Sequence, residues 1–567
     1  MDITQLREMV LSNDYVDLIR NFQTSPEAFE TLFSNLGAQL FGWGYGMVHV
    51  ERSLYYEEPI NFTGYASIPK LFTTLDTTSL EVSGILRVQT QPLLDFRGEG
   101  VIIGFIDTGI NYTLPAFQTS DGRSRILRLW DQTIQSDDYP PGIFYGTEYT
   151  QEMLTEALGR ENPLEYVPSV DTDGHGTSVA AIAAGSEDPA NNFIGAAPRC
   201  DIAVVKLKPA KEYLKDFFQV PQSALAFQET DIMMGLRYLN DLSTELRKPL
   251  VICLCLGSNQ GNHSGSSPLS GLLTFYSGFT GNYIIIAAGN EAGMAHHYYG
   301  SINRQGDITD VELLVNEKDT GFSLEMWGLS PELYSIGLVS PLGEVVPRIP
   351  PRLGRSTTID FVLERTVVEI YYEVIESTSG NQLTLLRFSD PTPGLWRIRV
   401  YNDLYFNGIF NLWLPVTGFI SPDTVFLSPN PDTTLTAPSN TVAPITVSTY
   451  DAHTGSLFIN SSRGYTFSGN IKPDLAAPGV DVYGPNVNGR YTTHTGSSMA
   501  AAITAGAVAL FVNWSISRNG PSYFSAQEVK GYLIRGASRT PGTLYPNREW
   551  GYGTLNLYQI FESLMVR

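Results

Sequence analysis

Ser498 is the candidate nucleophile of this sequence. It lies two residues after Gly496 and precedes a run of small and apolar residues, 501–509, which predicts a buried helix. Free backbone N–H groups and the positive end of the helix dipole favour a developing negative charge at a helix start, as acyl transfer to a serine requires. Taken alone, the same stretch is equally compatible with a simple N-cap role for Ser498.

Two further polar residues occupy positions suited to chemistry. The apolar run 101–106 predicts a strand buried on both faces, and Asp107 follows it directly. A carboxylate at the C-terminal end of such a strand lies where open α/β sheets place their ligands, although an Asp that caps a turn is also common there. His175 stands between Gly174 and Gly176 at the start of a predicted helix, a setting in which histidine is seldom core filling.

The elements around these residues predict a doubly wound α/β domain. Continuous apolar strands alternate with helices, as expected for a parallel sheet covered on both faces. Further strands are predicted at 203–207, 250–256 and 283–288, with a helix over 223–242. The same pattern resumes near Ile445 and extends through the serine.

The first part of the chain, 1–76, has the pattern of a separate small α/β unit. Apolar spacing predicts helices over 6–22 and 25–40, and a partly alternating segment predicts a strand over 47–55. Ser25 is the expected N-cap of the second helix, with a proline at its first position.

A second region, 305–435, differs from its surroundings. It contains short segments rich in β-branched and aromatic residues, separated by Pro, Gly and Asp turns and without helices between them. This pattern predicts an inserted β-sandwich. The α/β domain then comprises 77–304 and 436–567.

Composition excludes several classes of partner and cofactor. The 567 residues carry a formal net charge of −22, which disfavours nucleic acid and anionic membrane as partners. Three cysteines exclude a disulfide framework, and a bridge between Cys253 and Cys255 would be geometrically awkward because both point to one face of a strand. No Cys/His cluster suggests zinc, so no cofactor is predicted to be required. No Asp-rich loop is diagnostic of calcium, and the sequence leaves calcium binding open.

The N-terminal sequence carries no signal for export. It lacks the basic and apolar regions of a signal peptide, and no run approaches the roughly 18 apolar residues that span a bilayer. We therefore expect a soluble protein that is cytoplasmic at synthesis and has no membrane partner.

The chain resembles the subtilases, the subtilisin-like serine proteases, over about 100–300 and 440–560. Four motifs carry the resemblance, in the family's order: Asp107-Thr108-Gly109, His175-Gly176-Thr177, Ala288-Gly289-Asn290 and Gly496-Ser497-Ser498-Met499-Ala500. The order Asp, His, Ser is that of the subtilisin triad. Departures from the usual family residues are Ser497, Ala502, Ser178, Ala181 and Cys255, and none removes a catalytic atom.

The resemblance implies a serine endopeptidase. Ser498 would attack the scissile carbonyl, His175 would move its proton, and Asp107 would orient the imidazole. Asn290 matches the family's oxyanion-hole asparagine, which would act together with the N–H group of Ser498.

The resemblance also implies how a protein substrate binds. It would lie as an extended strand beside Cys255, Leu256, Gly257 and Ser258, although a simple strand end is the alternative reading of that segment. Glu291 would border the pocket for the residue before the scissile bond and favour basic side chains.

Residues 1–76 resemble the subtilase prodomain, an intramolecular chaperone and inhibitor. Self-cleavage is expected in the connector around Leu75, Asp76 and Thr77, and the prodomain would stay bound without a covalent link. The missing signal peptide and the long insert resemble the clostridial Csp germination proteases, whose insert is a jelly roll. That likeness implies a spore location and, as substrate, the precursor of a spore-cortex lytic enzyme. The alternative is a catalytically silent or latent pseudoprotease that acts as a germination sensor or scaffold; the intact triad favours catalysis.

Overall fold

The computed structural model describes residues 3–23, 25–42, 44–55, 64–74, 83–90, 94–352, 356–520 and 523–565. They form three units, which we call the N-terminal unit (residues 3–74), the α/β domain and the insert (residues 297–426). The α/β domain contains the strands and helices between residues 83 and 296 and those that follow residue 426.

An eight-stranded sheet forms the centre of the α/β domain. Its strands are parallel except for the antiparallel edge strand Thr147–Thr150. The spatial order is Leu475–Pro478, Ile445–Tyr450, Asn282–Ala287, Leu250–Leu254, Ile102–Asp107, Asp201–Lys206, Ile126–Asp131 and Thr147–Thr150. The predicted parallel sheet is therefore confirmed, with the Asp107 strand near its middle.

Helices cover both faces of this sheet because its strands are apolar on both sides. Ile103 and Phe105 belong to one buried cluster, with the helices His175–Ala184 and Ser497–Asn519. Ile102 and Ile106 alternate with them and face a second cluster, formed with the helices Glu229–Leu246 and Pro268–Ser277. The remaining helices of this domain are Ile85–Thr90, Gln151–Leu158, Glu212–Phe218, Ala526–Gly536 and Leu557–Met565.

The helix Ser497–Asn519 corrects the expectation that no segment of the chain is apolar and long enough to span a bilayer. Its residues Ser497–Arg518 are long and apolar enough to cross a membrane by length and composition. However, 89% of its most apolar window is buried, and its side chains join the main cluster of the α/β domain. The apolar character of this helix is thus that of a central core helix.

The N-terminal unit is a three-stranded antiparallel sheet with two main helices. The strand Tyr45–Glu51 lies between Tyr15–Asn21 and Gln39–Gly42, and the helices are Ile3–Leu11 and Pro26–Leu32. The other elements described in this unit are a short helix, Arg52–Tyr55, the 3₁₀ turns Ser34–Leu36 and Tyr65–Ser67, and the strand Leu71–Thr74.

Two helix predictions in the N-terminal unit were too long. The segment 15–21 is a strand, because pairing with Tyr45–Glu51 buries Val16, Leu18 and Ile19, and tertiary burial overrides helical spacing. The helix after Ser25 ends at Leu32. The predicted N-cap is confirmed, since Ser25 Oγ accepts the N–H of Ala28 at 3.3 Å.

The insert consists of two antiparallel sheets that share one core. The six-stranded sheet has the order His297–Ser301, Ile409–Trp413, Gly321–Gly328, Gln382–Ser389, Val367–Glu373 and Thr357–Asp360. The five-stranded sheet has the order Val345–Ile349, Leu333–Val339, Gly394–Leu404, Ile308–Val315 and Val425–Phe426. Apolar side chains from both sheets form one buried cluster. The first strand begins at His297, before the predicted boundary at 305.

One buried cluster contains side chains from all three units. The N-terminal unit contributes Leu18 and Leu71, the α/β domain contributes Phe218, and the insert contributes Trp327 and Trp413. Shared burial of this kind couples the stability of the units, because separating them would expose the cluster to water.

Trp413 is the clearest contact between the insert and the α/β domain. Its ring stacks on His263 of the α/β domain at 4.0 Å between centroids and on His297 at 4.8 Å, and Phe467 of the α/β domain meets it edge-on at 5.7 Å. Its indole N–H donates to the carbonyl of Thr433 at 3.2 Å.

Replacing this side chain should be costly for folding. We expect Trp413→Ala to lower the free energy of unfolding by about 3–5 kcal/mol, because it leaves a cavity between two units. Leu544→Ala is the control, since that side chain is 88% exposed, and its effect should stay within about 0.5 kcal/mol. Urea denaturation measures both; equal midpoints for the two variants would contradict the coupling.

Candidate active site

The three candidate catalytic side chains meet at the C-terminal end of a strand in the middle of the central sheet. Asp107 is the last residue of the strand Ile102–Asp107. His175 is the first residue of the helix His175–Ala184, and Ser498 is the second residue of the helix Ser497–Asn519. These two helices pack against each other on the same face of the sheet, so the fold brings distant parts of the chain together.

The side chains form a continuous hydrogen-bonded chain. His175 Nδ1 lies 2.7 Å from Asp107 Oδ1, and His175 Nε2 lies 3.0 Å from Ser498 Oγ. With its proton on Nδ1, the imidazole donates to the carboxylate and accepts the serine hydroxyl. Asp107 and Ser498 are buried, and the imidazole is 7% exposed. This arrangement can deprotonate a serine hydroxyl.

A neighbouring carboxylate fixes the segment that carries the imidazole. Asp171 Oδ1 accepts the N–H of Gly174 at 2.8 Å, and its Oδ2 accepts the N–H and the hydroxyl of Thr177 at 2.9 and 2.7 Å. Thr108 Oγ1 accepts the N–H of Gly176 at 2.9 Å. Sequence reasoning missed Asp171, although its position four residues before His175 in Asp-Thr-Asp-Gly-His was a visible signal.

The helix of His175 approaches the Asp107 strand so closely that Gly176 has no room for a side chain. A Cβ atom there would lie 2.3 Å from the carbonyl oxygen of Gly109 and 3.1 Å from the Cβ of Asp107. The glycine after the histidine is therefore a requirement of the Asp107–His175 distance.

Asn290 lies beside the nucleophile. Its Oδ1 accepts the N–H of Ser497 at 3.0 Å, which orients the amide and leaves its NH₂ group for another acceptor. The hydroxyl of Ser497 accepts the N–H of Gly289 at 3.2 Å, so serine at this position keeps a hydrogen bond to the Asn290 segment. Gly496, at φ 149°, precedes the helix and turns the chain into it.

The cleft beside these residues holds a segment of the protein itself. The strand Leu71–Thr74 pairs antiparallel with Leu256–Gly257 on one side and with Phe227–Gln228 on the other. Thr74 stands opposite Leu256 and Thr73 opposite Gly257. The predicted edge therefore does bind an extended chain, in this case the end of the N-terminal unit. The expected cleavage region, Leu75, Asp76 and Thr77, lies outside the described residues.

Ser258 does not belong to the segment that pairs with the extended chain, contrary to the prediction. Its N–H donates to the carbonyl of Ala437 at 3.0 Å, and the N–H of Ala437 returns a bond of 2.8 Å. The backbone of Ser258 thus pairs within the α/β domain, and the paired edge consists of Leu256 and Gly257.

Cys255 contacts the backbone of Ser498. Its side chain is fully buried, and its thiol donates to the carbonyl oxygen of Ser498 at 3.3 Å. Burial and the neighbouring thiol of Cys253, 3.6 Å away, raise the pKa of Cys255 well above its ordinary value, so that the thiol stays protonated. Its side chain therefore supports the start of the serine helix and does not face a substrate.

The expectation for Glu291 is wrong. A carboxylate that favours basic substrate side chains must be free, but Glu291 is only 2% exposed. It lies 2.8 Å from His296 Nδ1 and accepts hydrogen bonds from Asn259 Nδ2 and the N–H of Thr417 at 3.1 and 3.2 Å. Burial opposes its ionisation, but the hydrogen bond and charge of His296 and the hydrogen bonds from Thr417 together lower its pKa. Glu291 joins the α/β domain to the end of the insert.

No metal-binding cluster accompanies the site. Within the part of the chain that the structure describes, no group of three or more His, Cys, Asp or Glu side chains is arranged to hold a metal ion.

The chain belongs to the subtilase family. The family model matches residues 98–312 and 421–553, which together make up most of the chain. The unmatched stretch between them contains most strands of the insert.

Similar proteins support the same assignment. The structure of the CspB protease of Clostridium perfringens matches with a TM-score of 0.76 and 32% identity, over 86% of this chain and 98% of that one. A subtilisin of Bacillus sp. (strain TA39) is 28% identical over 40% of this chain and 41% of its own length. The subtilisin-like protease SBT2.2 of Arabidopsis thaliana is 34% identical over 19% of this chain, and the chain spans only 15% of the length of that relative.

Adding one methyl group at Gly176 should disturb the triad. We expect Gly176→Ala to slow the reaction of Ser498 with a fluorophosphonate by about 100-fold, because the imidazole must move away from Asp107. Gly531→Ala is the matched control, since that helical glycine faces open space, and its rate should equal that of the unmodified protein. Equal rates for the two variants would show that the close approach is not needed.

Proposed function

We propose that the protein is a serine endopeptidase. The observation that carries this proposal is the hydrogen-bonded chain Asp107–His175–Ser498, at 2.7 and 3.0 Å, in a member of the subtilase family. A buried serine at the start of a helix, with a histidine as its base and a carboxylate behind the histidine, is the arrangement that acyl transfer requires.

The residues supply each step of peptide hydrolysis. Ser498 Oγ attacks the scissile carbonyl while its proton passes to His175 Nε2, and the imidazolium then gives that proton to the leaving amine. Asp107 holds the imidazole and stabilises its charged form. Water, deprotonated by His175, then releases the acyl group and restores the serine.

The developing oxyanion is stabilised by two donors. The N–H of Ser498 lies at the positive end of the helix Ser497–Asn519, and the NH₂ group of Asn290 is oriented by the bond that its oxygen accepts from Ser497. Such donors act in the transition state more than in the ground state, so their removal lowers the turnover number.

The substrate binds as an extended strand in the place of Leu71–Thr74. The pairing of that segment with Leu256–Gly257 and Phe227–Gln228 supports this binding mode. The N-terminal unit is then the first substrate: the enzyme cuts the connector that follows Thr74, and the unit stays bound after the cut. The likeness to the CspB protease extends the proposal to a role in spore germination, with the precursor of a spore-cortex lytic enzyme as substrate.

A latent state is the second candidate, and one observation favours it. The strand Leu71–Thr74 lies in the cleft that a substrate needs. Labelling of the purified protein at Ser498 by a fluorophosphonate indicates an open enzyme, and labelling only after removal of residues 1–76 indicates a latent one. Absence of labelling in both forms would leave a silent sensor or scaffold as the function.

Substitutions at the serine and the asparagine test the proposal. We expect Ser498→Ala to abolish peptide hydrolysis and Asn290→Ala to lower kcat by about 10²–10³-fold, with KM nearly unchanged; the magnitude is that of the corresponding donor in subtilisin. Asn411→Ala is a control for loss of a buried amide far from the site. An Asn290→Ala variant within threefold of the unmodified enzyme would remove Asn290 from the mechanism.

A further inference from the structure

The segment that leads into the cleft is bound by side chains outside the cleft. Tyr65 is buried, and its hydroxyl donates to Glu325 of the insert. Its N–H donates to Glu373 Oε2 at 3.2 Å, and its ring meets Trp327 edge-on at 6.1 Å. Three side chains of the insert thus bind Tyr65, which lies six residues before the start of the strand Leu71–Thr74.

The α/β domain binds the residues that follow. Glu229 Oε2 accepts the N–H of Lys70 at 3.1 Å, and the N–H of Glu229 donates to the carbonyl of Lys70 at 2.9 Å. Gln260 Oε1 accepts the N–H of Leu71 at 2.9 Å. These bonds align the backbone just before it enters the cleft.

Glu325 connects the two sets of contacts. Its second oxygen accepts the N–H of Gly261 in the α/β domain at 3.0 Å and the indole N–H of Trp327 at 2.9 Å. We call the set Glu229, Gln260, Glu325, Trp327 and Glu373 the distal site. All of these side chains belong to the α/β domain or the insert, so none of them is lost when another chain displaces the N-terminal segment.

The charge of the distal site indicates what it accepts. Burial raises the pKa of Glu325 and of Glu373 to about 7, and burial also raises the pKa of Glu229. The ammonium group of Lys70 favours the charged form of all three carboxylates, and it lies 4.2 Å from the centre of the Tyr65 ring. The ammonium group itself donates to the carbonyls of Tyr65 and Ile68 at 3.0 and 2.5 Å. Without a cation here, burial would favour the protonated form of the carboxylates, and Glu325 would lose the charge that strengthens its hydrogen bond to the phenol.

We propose that the distal site is a second recognition site for protein substrates, which selects a hydroxylated aromatic side chain followed five residues later by Lys or Arg, on the N-terminal side of the scissile bond. The inference rests on the proposed function. A substrate strand must enter the cleft in the direction that Leu71–Thr74 takes, because the antiparallel pairing fixes it. Its preceding residues must therefore pass between the insert and the α/β domain, where the distal site lies.

The phenol contact gives the site discrimination as well as affinity. A pocket built to accept a hydroxyl loses a charge-assisted hydrogen bond when the hydroxyl is absent, and a buried acceptor is left without its donor. The insert thereby has a role in choosing the substrate, at a distance from the reacting atoms.

Peptides cut by the full-length enzyme test the proposal, because each must displace the enzyme's own residues 64–74 from the cleft and the distal site before it is cut. The long peptide has the sequence of residues 64–80, and the short one that of 71–80. We expect kcat/KM for the long peptide to exceed that for the short one by at least about tenfold, and a long peptide with Tyr65→Phe or Lys70→Gln to lose about tenfold. With the Glu325→Gln enzyme, kcat/KM for the Tyr65→Phe peptide should be little lower than that for the unmodified long peptide. The control enzyme Glu317→Gln, changed at an exposed glutamate of the insert, should give the same values as the unmodified enzyme.

A measurement independent of catalysis accompanies the peptides. In full-length protein carrying Ser498→Ala, hydrogen exchange of residues 64–74 should become at least about tenfold faster with Glu325→Gln and remain unchanged with Glu317→Gln. Equal kcat/KM for long and short peptides, or equal exchange in the two variants, would overturn the distal site. If no peptide is cut and Ser498 is not labelled even without residues 1–76, the proposed function fails, and the exchange result still decides whether the distal site binds the segment.

Discussion

The hydrogen bond between His175 and Ser498 joins the first turns of two helices that pack on the same face of the central sheet. The position of the imidazole depends on how closely the helix of His175 approaches the strand that ends in Asp107. Gly176 permits that approach, since any larger residue would collide with Gly109. Asp171 and Thr108 fix the same turn through backbone hydrogen bonds. The geometry of the three side chains is therefore a consequence of close packing between elements, and the sheet and both helices must be in place before it exists.

The same α/β domain also holds a peptide in its cleft, and the other two units share in holding it. The N-terminal unit supplies the strand, the α/β domain supplies both paired edges, and the insert binds Tyr65 through Glu325 and Glu373. The cluster of apolar side chains common to all three units makes this an integral part of the fold. The geometry explains how a chain could remain bound after it is cut, since most of its contacts lie before the connector.

The arrangement of Asp107, His175 and Ser498 could be predicted from the sequence because each residue lies in a short motif whose glycines and small residues are dictated by local packing. The doubly wound sheet was predictable for a similar reason, since strands buried on both faces are continuous apolar runs. The strand Tyr15–Asn21 was not, because its residues follow a helical spacing and only pairing with Tyr45–Glu51 decides its structure. Glu291 was misjudged because the sequence does not show that the chain turns His296 back onto it, five residues later, or that the insert backbone at Thr417 packs beside it. The contact between Tyr65 and Glu325 has no sequence signal, as it joins two units far apart in the chain.

The central claim is that Ser498 acts on a peptide bond, first of all in the protein's own connector. The most direct measurement is the intact mass of the purified protein beside that of its Ser498→Ala variant. We expect two chains for the unmodified protein, cut between Thr73 and Ser79, and a single chain of 62.5 kDa for the variant. If both proteins remain uncut, or if both are cut at the same place, self-processing by this serine is contradicted.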